Sequence, residues 1–241
     1  MQQHERLAEA LAELVDRLRT APGLTGSAVL YGSAARGDWD PERSDVNLLL
    51  VVDDVGAEAL VRLAPAFAAW HEAGFTPPLL IGRSEWQRAT DVFPIELSDM
   101  QLSYQLLWGD DPIAALRVEP ADLRRALEAS LRGKLLRLRQ AYVRFHDNPI
   151  TLGGFAIASI SEFLVLLRTT AQLIGRGDAI APDAAIRAMA PELGPDAAAV
   201  TAIVAHRRDG EWSCPPDLFA RYLDAVRRVV AVVDHLHAGD R

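Results

Sequence analysis

Strand-like runs stop at residue 112. Before it, short apolar runs bounded by turn residues recur at Ser27–Tyr31, Val46–Val52, Pro78–Ile81, Phe93–Leu97 and Leu106–Trp108. Pro94 places the fourth run at a sheet edge or a strand start. Gly109-Asp110-Asp111-Pro112 then breaks the chain, and only helical periodicity follows. A chain divided in this way is neither all-β nor a regular βαβ array. It predicts an α+β fold: a small mixed sheet with flanking helices over residues 1–112, then a C-terminal helical bundle over residues 113–241.

The helices are read from apolar spacing. Leu7, Leu11, Leu14, Val15 and Leu18 form one stripe, ended by Pro22-Gly23. Ala57–His71 is a second helix, and Ser84 caps a short one. Beyond residue 112, helices are expected over 121–145, 154–174, 183–190, 195–207 and 216–237. There is neither a tandem repeat nor a low-complexity tract.

Charge divides at the same place. The 241 residues carry a formal net charge of -8. Residues 1–112 hold 8 Lys+Arg against 18 Asp+Glu, whereas residues 113–241 hold 17 against 15. An acidic half and a mildly basic half imply different duties. The acidic balance argues against general duplex binding, which needs clustered cations. The single cysteine, Cys214, excludes an internal disulfide and a cysteine-based zinc site. The N-terminal segment MQQHERLAEALAELVDRL is charged throughout and lacks a signal-peptide core. The most apolar stretch, Leu152–Ile174, is interrupted by Glu162 and Arg168. The expectation is a soluble, cytoplasmic chain with no membrane partner.

The segment Leu30–Val52, LYGSAARGDWDPERSDVNLLLVV, carries the chemistry. A strand ends in Gly32-Ser33. Gly32 lets backbone approach a ligand closely, and Ser33 offers a hydroxyl and an N–H to a phosphate oxygen. The next strand opens Asp45-Val46-Asn47, and residues two apart project to one face. Acidic side chains beside a glycine turn suit Mg²⁺, a hard cation commonly shared with substrate phosphates. Asp38, Asp40 and Glu42 read as a solvated loop.

These residues resemble the nucleotidyltransferase superfamily typified by DNA polymerase beta and the aminoglycoside nucleotidyltransferases. Gly32-Ser33, the spacing to Asp45, and Arg36-Gly37 match its signature over roughly residues 25–112. The resemblance implies phosphate contacts from Gly32, Ser33 and Arg36. It implies a metal site of Asp45, Asn47 and a third acid, best matched by Glu96. Asp91 and Asp99 flank that position, with Asp99 read as a helix cap or start. The run Leu107–Pro112 also resembles the end of a bacterial subgroup. One departure stands out: Asn47 occupies the place of the second metal aspartate. Asn is neutral and cannot bridge two cations, so seating two ions is weakened.

In the helical half, Leu127, Leu131, Leu135, Leu138, Tyr142 and Phe145 form one stripe. Lys134, the chain's one lysine, falls about 60° from its centre. It either snorkels outward along its methylene stem or points into a cleft. By the resemblance it is a nucleotide-phosphate contact. The helix from Gly154 is apolar nearly all round and belongs at a bundle centre, which makes Glu162 a buried carboxylate in need of a partner. Arg132 and Arg168 are candidate partners. By analogy with the aminoglycoside transferases, Glu162 is alternatively a general base. His4, His71, His146, His206, His235 and His237 lack metal-ligand spacing and read as surface residues.

Together the expectation is an Mg²⁺-dependent enzyme that moves a nucleoside monophosphate from an NTP, ATP foremost, to a hydroxyl of a small acceptor. Asp45 and Glu96 would be central to that reaction. The alternative is a catalytically degenerate nucleotide-binding or antitoxin-like regulatory protein on the same fold. Its helical half would then offer a homodimer surface.

Overall fold

The computed structural model describes residues 2–42, 44–177 and 179–236. The chain divides into two compact units, Met1–Arg117 and Val118–Arg241. The first contains α1 (Gln2–Thr20), β1 (Gly26–Tyr31), α2 (Ser33–Arg36), β2 (Asn47–Val52), α3 (Ala57–Glu72), β3 (Leu79–Gly82), α4 (Arg83–Trp86), α5 (Pro94–Leu102) and β4 (Tyr104–Trp108). The sheet order is β3-β2-β1-β4. β1 runs antiparallel to both β2 and β4, and β3 joins β2 in parallel through the α3 crossover.

The two central strands are buried on both faces, which explains their unbroken apolar runs. Ala28 and Leu30 of β1 and Leu48, Leu50 and Val52 of β2 pack with Leu7, Leu14 and Leu18 of α1 and Leu63, Ala66 and Trp70 of α3. Val29, Leu49 and Val51, also fully buried, alternate with these onto the opposite face. Each fully buried leucine contributes about 1.5–3 kcal/mol.

Two details fix the loops beside the sheet. Trp39 is buried in the α1/α3 cluster, and its Nε1 donates to the Ser44 carbonyl at 2.7 Å. The segment between α2 and β2 is therefore anchored, and its entry into β2 is set by packing. The run Leu107–Pro112 closes the unit at its other end. Gly109 adopts φ +78°, and a Cβ there would fall 1.9 Å from the Gly26 carbonyl oxygen. Asp111 accepts from the Ile113 and Ala114 amides at 2.8 and 3.0 Å and from the Tyr104 hydroxyl at 2.7 Å. These bonds hold its carboxyl below the usual range although burial alone would raise it.

Three local expectations are corrected. Phe93–Leu97 is not a strand; Pro94 opens α5 instead. Proline is favoured at the first helical position because its missing N–H has no partner there anyway. The same device starts α6, α7, α8 and α11. Asp99 accordingly lies inside α5 rather than at its start. Ser84 lies inside α4, whose cap position is Gly82, and Glu85 accepts from the Gly82 amide at 2.9 Å.

The second unit contains α6 (Pro120–Phe145), α7 (Pro149–Leu173), α8 (Pro182–Ala188), α9 (Ala190–Leu193), a 3-10 turn (Gly194–Asp196), α10 (Ala197–His206) and α11 (Pro216–His235). By length and composition α7 could cross a membrane. Here it packs against α6, α8, α10 and α11, and a central place in a bundle demands the same apolarity. Only its N-terminal half keeps an exposed face, with Phe155 and Glu162 on it. Asn148 caps α7 by accepting from the Thr151 amide at 3.1 Å. Asp196, nearly buried, pairs with Arg221 and Arg228 of α11.

Gly153 of α7 is a close-approach glycine: a Cβ there would lie 1.7 Å from the Trp212 carbonyl oxygen, while Gly154 has nothing within 4 Å. Gly153→Ala is expected to destabilise the chain by about 1–3 kcal/mol through overpacking. Gly154→Ala is expected to stabilise it by up to about 1 kcal/mol through helix propensity. Urea unfolding of the pair checks the opposite signs.

Candidate active site

The site begins at the end of β1. Gly32 has φ +74°, a conformation open to glycine, and turns the chain into α2. A Cβ on residue 32 would sit 2.7 Å from Asn47 Nδ2. The missing side chain is therefore the space that the Asn47 amide fills. The turn is closed by the Arg36 amide to the Gly32 carbonyl and the Asp38 amide to the Ser33 carbonyl, both at 3.1 Å. Ser33 opens α2, whose first-turn N–H groups have no intrahelical acceptor.

Asn47 is the first residue of β2 and lies opposite Tyr31. Tyr31 in turn lies opposite Tyr104 of β4. Directly opposed residues share a face, so Asn47, Tyr31 and Tyr104 form one row across three strands. Asp45 precedes β2 by two residues and is exposed, rather than being part of the strand. Glu96 is exposed in the first turn of α5. Burial first, and the Glu96 carboxylate second, raise the Tyr31 hydroxyl above the ordinary tyrosine value. Among the described residues, no group of three or more His, Cys, Asp or Glu side chains is arranged to hold a metal ion. The donors expected from the sequence are the Asp45 and Glu96 carboxylates and the Asn47 amide; one or two protein carboxylates suit Mg²⁺ only when it is shared with substrate phosphates.

Arg36 is held on both sides. Its Nε donates to Asp38 Oδ1 at 3.3 Å, and its Nη1 lies 3.8 Å from Asp99 Oδ2 of α5. Asp38 is thus engaged with α2 rather than solvated alone.

Lys134 and Glu162 belong to the second unit and are each other's partner. Lys134 neither snorkels nor opens to solvent; its side chain is 2% exposed. Its Nζ donates to the Ser159 carbonyl at 2.9 Å and lies 2.8 Å from Glu162 Oε2. The Ser159 hydroxyl meets the fully buried Tyr222 hydroxyl at 2.9 Å. Glu162 is not buried but 50% exposed, and Arg137 approaches its Oε1 at 3.5 Å. Arg132 pairs instead with Glu128 and Asp234. Burial lowers the Lys134 ammonium below its ordinary value, and Glu162 offsets part of that effect.

The remaining candidates are quickly placed. His4, His71, His146 and His235 are exposed, and His206 is half-buried beside Asp209 at 2.6 Å and stacked on Trp212. His237 lies outside the described residues. Cys214 is buried, with its thiol pushed up to about 11. The place of Tyr31 beside Asn47 and the pairing of Asp99 with Arg36 are not expected from the sequence. Tyr31 was signalled by its strand parity with Asn47. Reading Pro94 as a helix start places Asp99 inside α5, one turn beyond Glu96.

The fold is an α+β domain with a positive-φ glycine turn set beside the Asp45-Val46-Asn47 strand entry. The nucleotidyltransferase domain family matches residues 11–106. The match lies within the N-terminal unit, which is similar to that domain. Among solved structures, spectinomycin adenyltransferase AAD(9) from Enterococcus faecialis, determined with ATP and spectinomycin, is similar with a TM-score of 0.52 at 14% identity. The likeness spans 95% of this chain and 98% of that one. No curated protein sequence matches.

Two outcomes test this geometry. Gly32→Ala is expected to cost about 1–3 kcal/mol, from the positive φ and from the Asn47 amide. Adding Asn47→Ala should recover only the steric share, as read by urea midpoints. For Lys134, a lowered folded-state value means that the unfolded chain binds the proton more tightly in the window just below 10.5. Wild-type stability should therefore rise relative to Lys134→Met as pH climbs through that window and fall as pH drops back through it. Chemical denaturation at several alkaline pH values reads the sign.

Proposed function

We propose that the protein transfers a nucleoside monophosphate, from ATP foremost, to a hydroxyl of a small cationic acceptor. The observation that carries the reading is the contact of the Gly32 turn with Asn47, which joins the phosphate-binding turn to the acidic entry of β2. The chemistry is assigned to residues 1–112, with residues 113–241 as the bundle domain. Gly32 and Ser33 receive the triphosphate through backbone N–H groups and the Ser33 hydroxyl. Asp45, Glu96 and the Asn47 amide oxygen would hold Mg²⁺, which neutralises charge on the phosphoryl oxygens when bound. The acceptor hydroxyl attacks the α-phosphorus in line and pyrophosphate leaves.

The acceptor class rests on two supports. The similar adenyltransferase was solved with ATP and spectinomycin. The N-terminal half of this chain is strongly acidic, which favours a cationic small molecule over nucleic acid. A cytoplasmic site of action accords with an ATP donor. Lys134 and Glu162 are engaged with each other, so they enter this reading as a brace for the bundle and not as phosphate and base groups.

Asn47 favours a second reading, a nucleotide-binding protein without turnover, because one of three expected carboxylates is neutral. Thermal unfolding with each NTP, with Mg²⁺ and with EDTA, separates binding from its absence. Ligand at 100 times its Kd stabilises by about 2.7 kcal/mol. Mg²⁺-dependent stabilisation by ATP, abolished in Asp45→Ala, is the expected result. Pyrophosphate release with aminocyclitol and aminoglycoside acceptors then reads turnover, and Asn47→Asp should lower the Mg²⁺ concentration needed. Absence of any nucleotide shift at millimolar concentration sinks both readings; binding without release leaves the second.

A further inference from the structure

We infer that Arg36 is a positioning residue that ties the Gly32-Ser33 turn to the Glu96-bearing helix, and not a ligand of the triphosphate. The inference rests on the transferase reading above. Arg36 closes α2, three residues after Ser33, and Asp99 lies three residues after Glu96 on α5. Residues three apart share a helix face. The Arg36–Asp99 pair therefore links the side of α2 that carries Ser33 to the side of α5 that carries Glu96.

The guanidinium is committed at two edges. Nε is used by Asp38 at 3.3 Å and Nη1 faces Asp99 at 3.8 Å. The side chains of Arg36 and Asp99 are each only 13% exposed. Water screens such a pair less than a surface pair, so it can hold two elements in register. At 3.8 Å the Asp99 contact is an ion pair rather than a directed hydrogen bond, so a lysine in place of Arg36 would retain part of the attraction while losing the Nε bond to Asp38.

A brace and a phosphate ligand leave different kinetic signatures. Displacing a reacting carboxylate lowers kcat, whereas removing a phosphate contact weakens nucleotide binding. The experiment compares Arg36→Ala, Arg36→Lys, Asp99→Asn and the Arg36→Ala/Asp99→Asn double variant with wild type. It reads MgATP Kd, kcat with an accepted aminocyclitol, and amide hydrogen exchange across residues 95–102. The expected result is a fall in kcat of about tenfold or more in both Arg36→Ala and Asp99→Asn, with MgATP Kd within about threefold of wild type. The double variant should be no worse than either single, because one link has been cut twice. Arg36→Lys should recover part of kcat, and exchange in α5 should speed up in both single variants.

If Arg36→Ala weakens MgATP by about tenfold while Asp99→Asn does not, Arg36 is a phosphate ligand and the brace is overturned. Unchanged exchange in α5 overturns it as well, whatever the activity. A wild-type chain that fails to bind MgATP or to release pyrophosphate overturns the transferase reading itself, and the positioning role falls with it.

Discussion

The absence of a side chain at residue 32 is the constraint on which the site depends. It permits the positive φ that turns β1 into α2, and it leaves the volume that the Asn47 amide occupies. One glycine thus sets two things: where the backbone N–H groups of the turn point, and how closely β2 approaches them. β1 is the central partner of both β2 and β4, so its end is held from two sides. The cross-strand row of Asn47, Tyr31 and Tyr104 follows from that pairing.

Around this fixed point the surrounding elements act as anchors. Trp39 sinks into the α1/α3 core and so delivers the chain to Asp45. Arg36 reaches from α2 to Asp99 on α5, the helix that brings Glu96. The closing turn after β4 is held by Asp111, Gly109 and the Trp86 indole, which donates to the Pro112 carbonyl at 2.8 Å. In the proposed reading the acid set is thin, with two carboxylates and an amide, so ligand phosphates would have to complete the oxygen shell of Mg²⁺. The second unit uses its charges differently. Lys134 and Glu162 bridge α6 and α7, and Asp196 gathers two arginines from α11.

Much of this was legible in the residues. The change of character near residue 112, the α1 stripe and the central strands came from apolar spacing, because burial on a helix or a strand imposes its own period. The Gly32-Ser33 turn and its distance from Asp45 were visible for the same local reason. Pro94 was ambiguous: one proline suits either an edge strand or a helix start, and no short-range rule separates them. That ambiguity left Asp99 at a helix start, although it lies inside α5 facing Arg36. Glu162 departs from expectation because an almost wholly apolar helix implies burial all round, whereas the first half of α7 has one side uncovered.

The sequence by itself determined the two-part architecture, the glycine turn and the neutral residue at 47, since each follows from local conformational preference or residue chemistry. Tertiary structure alone decided which charged groups meet. Arg36 faces Asp99, and Lys134 turns inward to Ser159 and Glu162. Partners 63 and 25–28 residues apart are chosen by how strands and helices pack, and no periodicity in the chain encodes that choice.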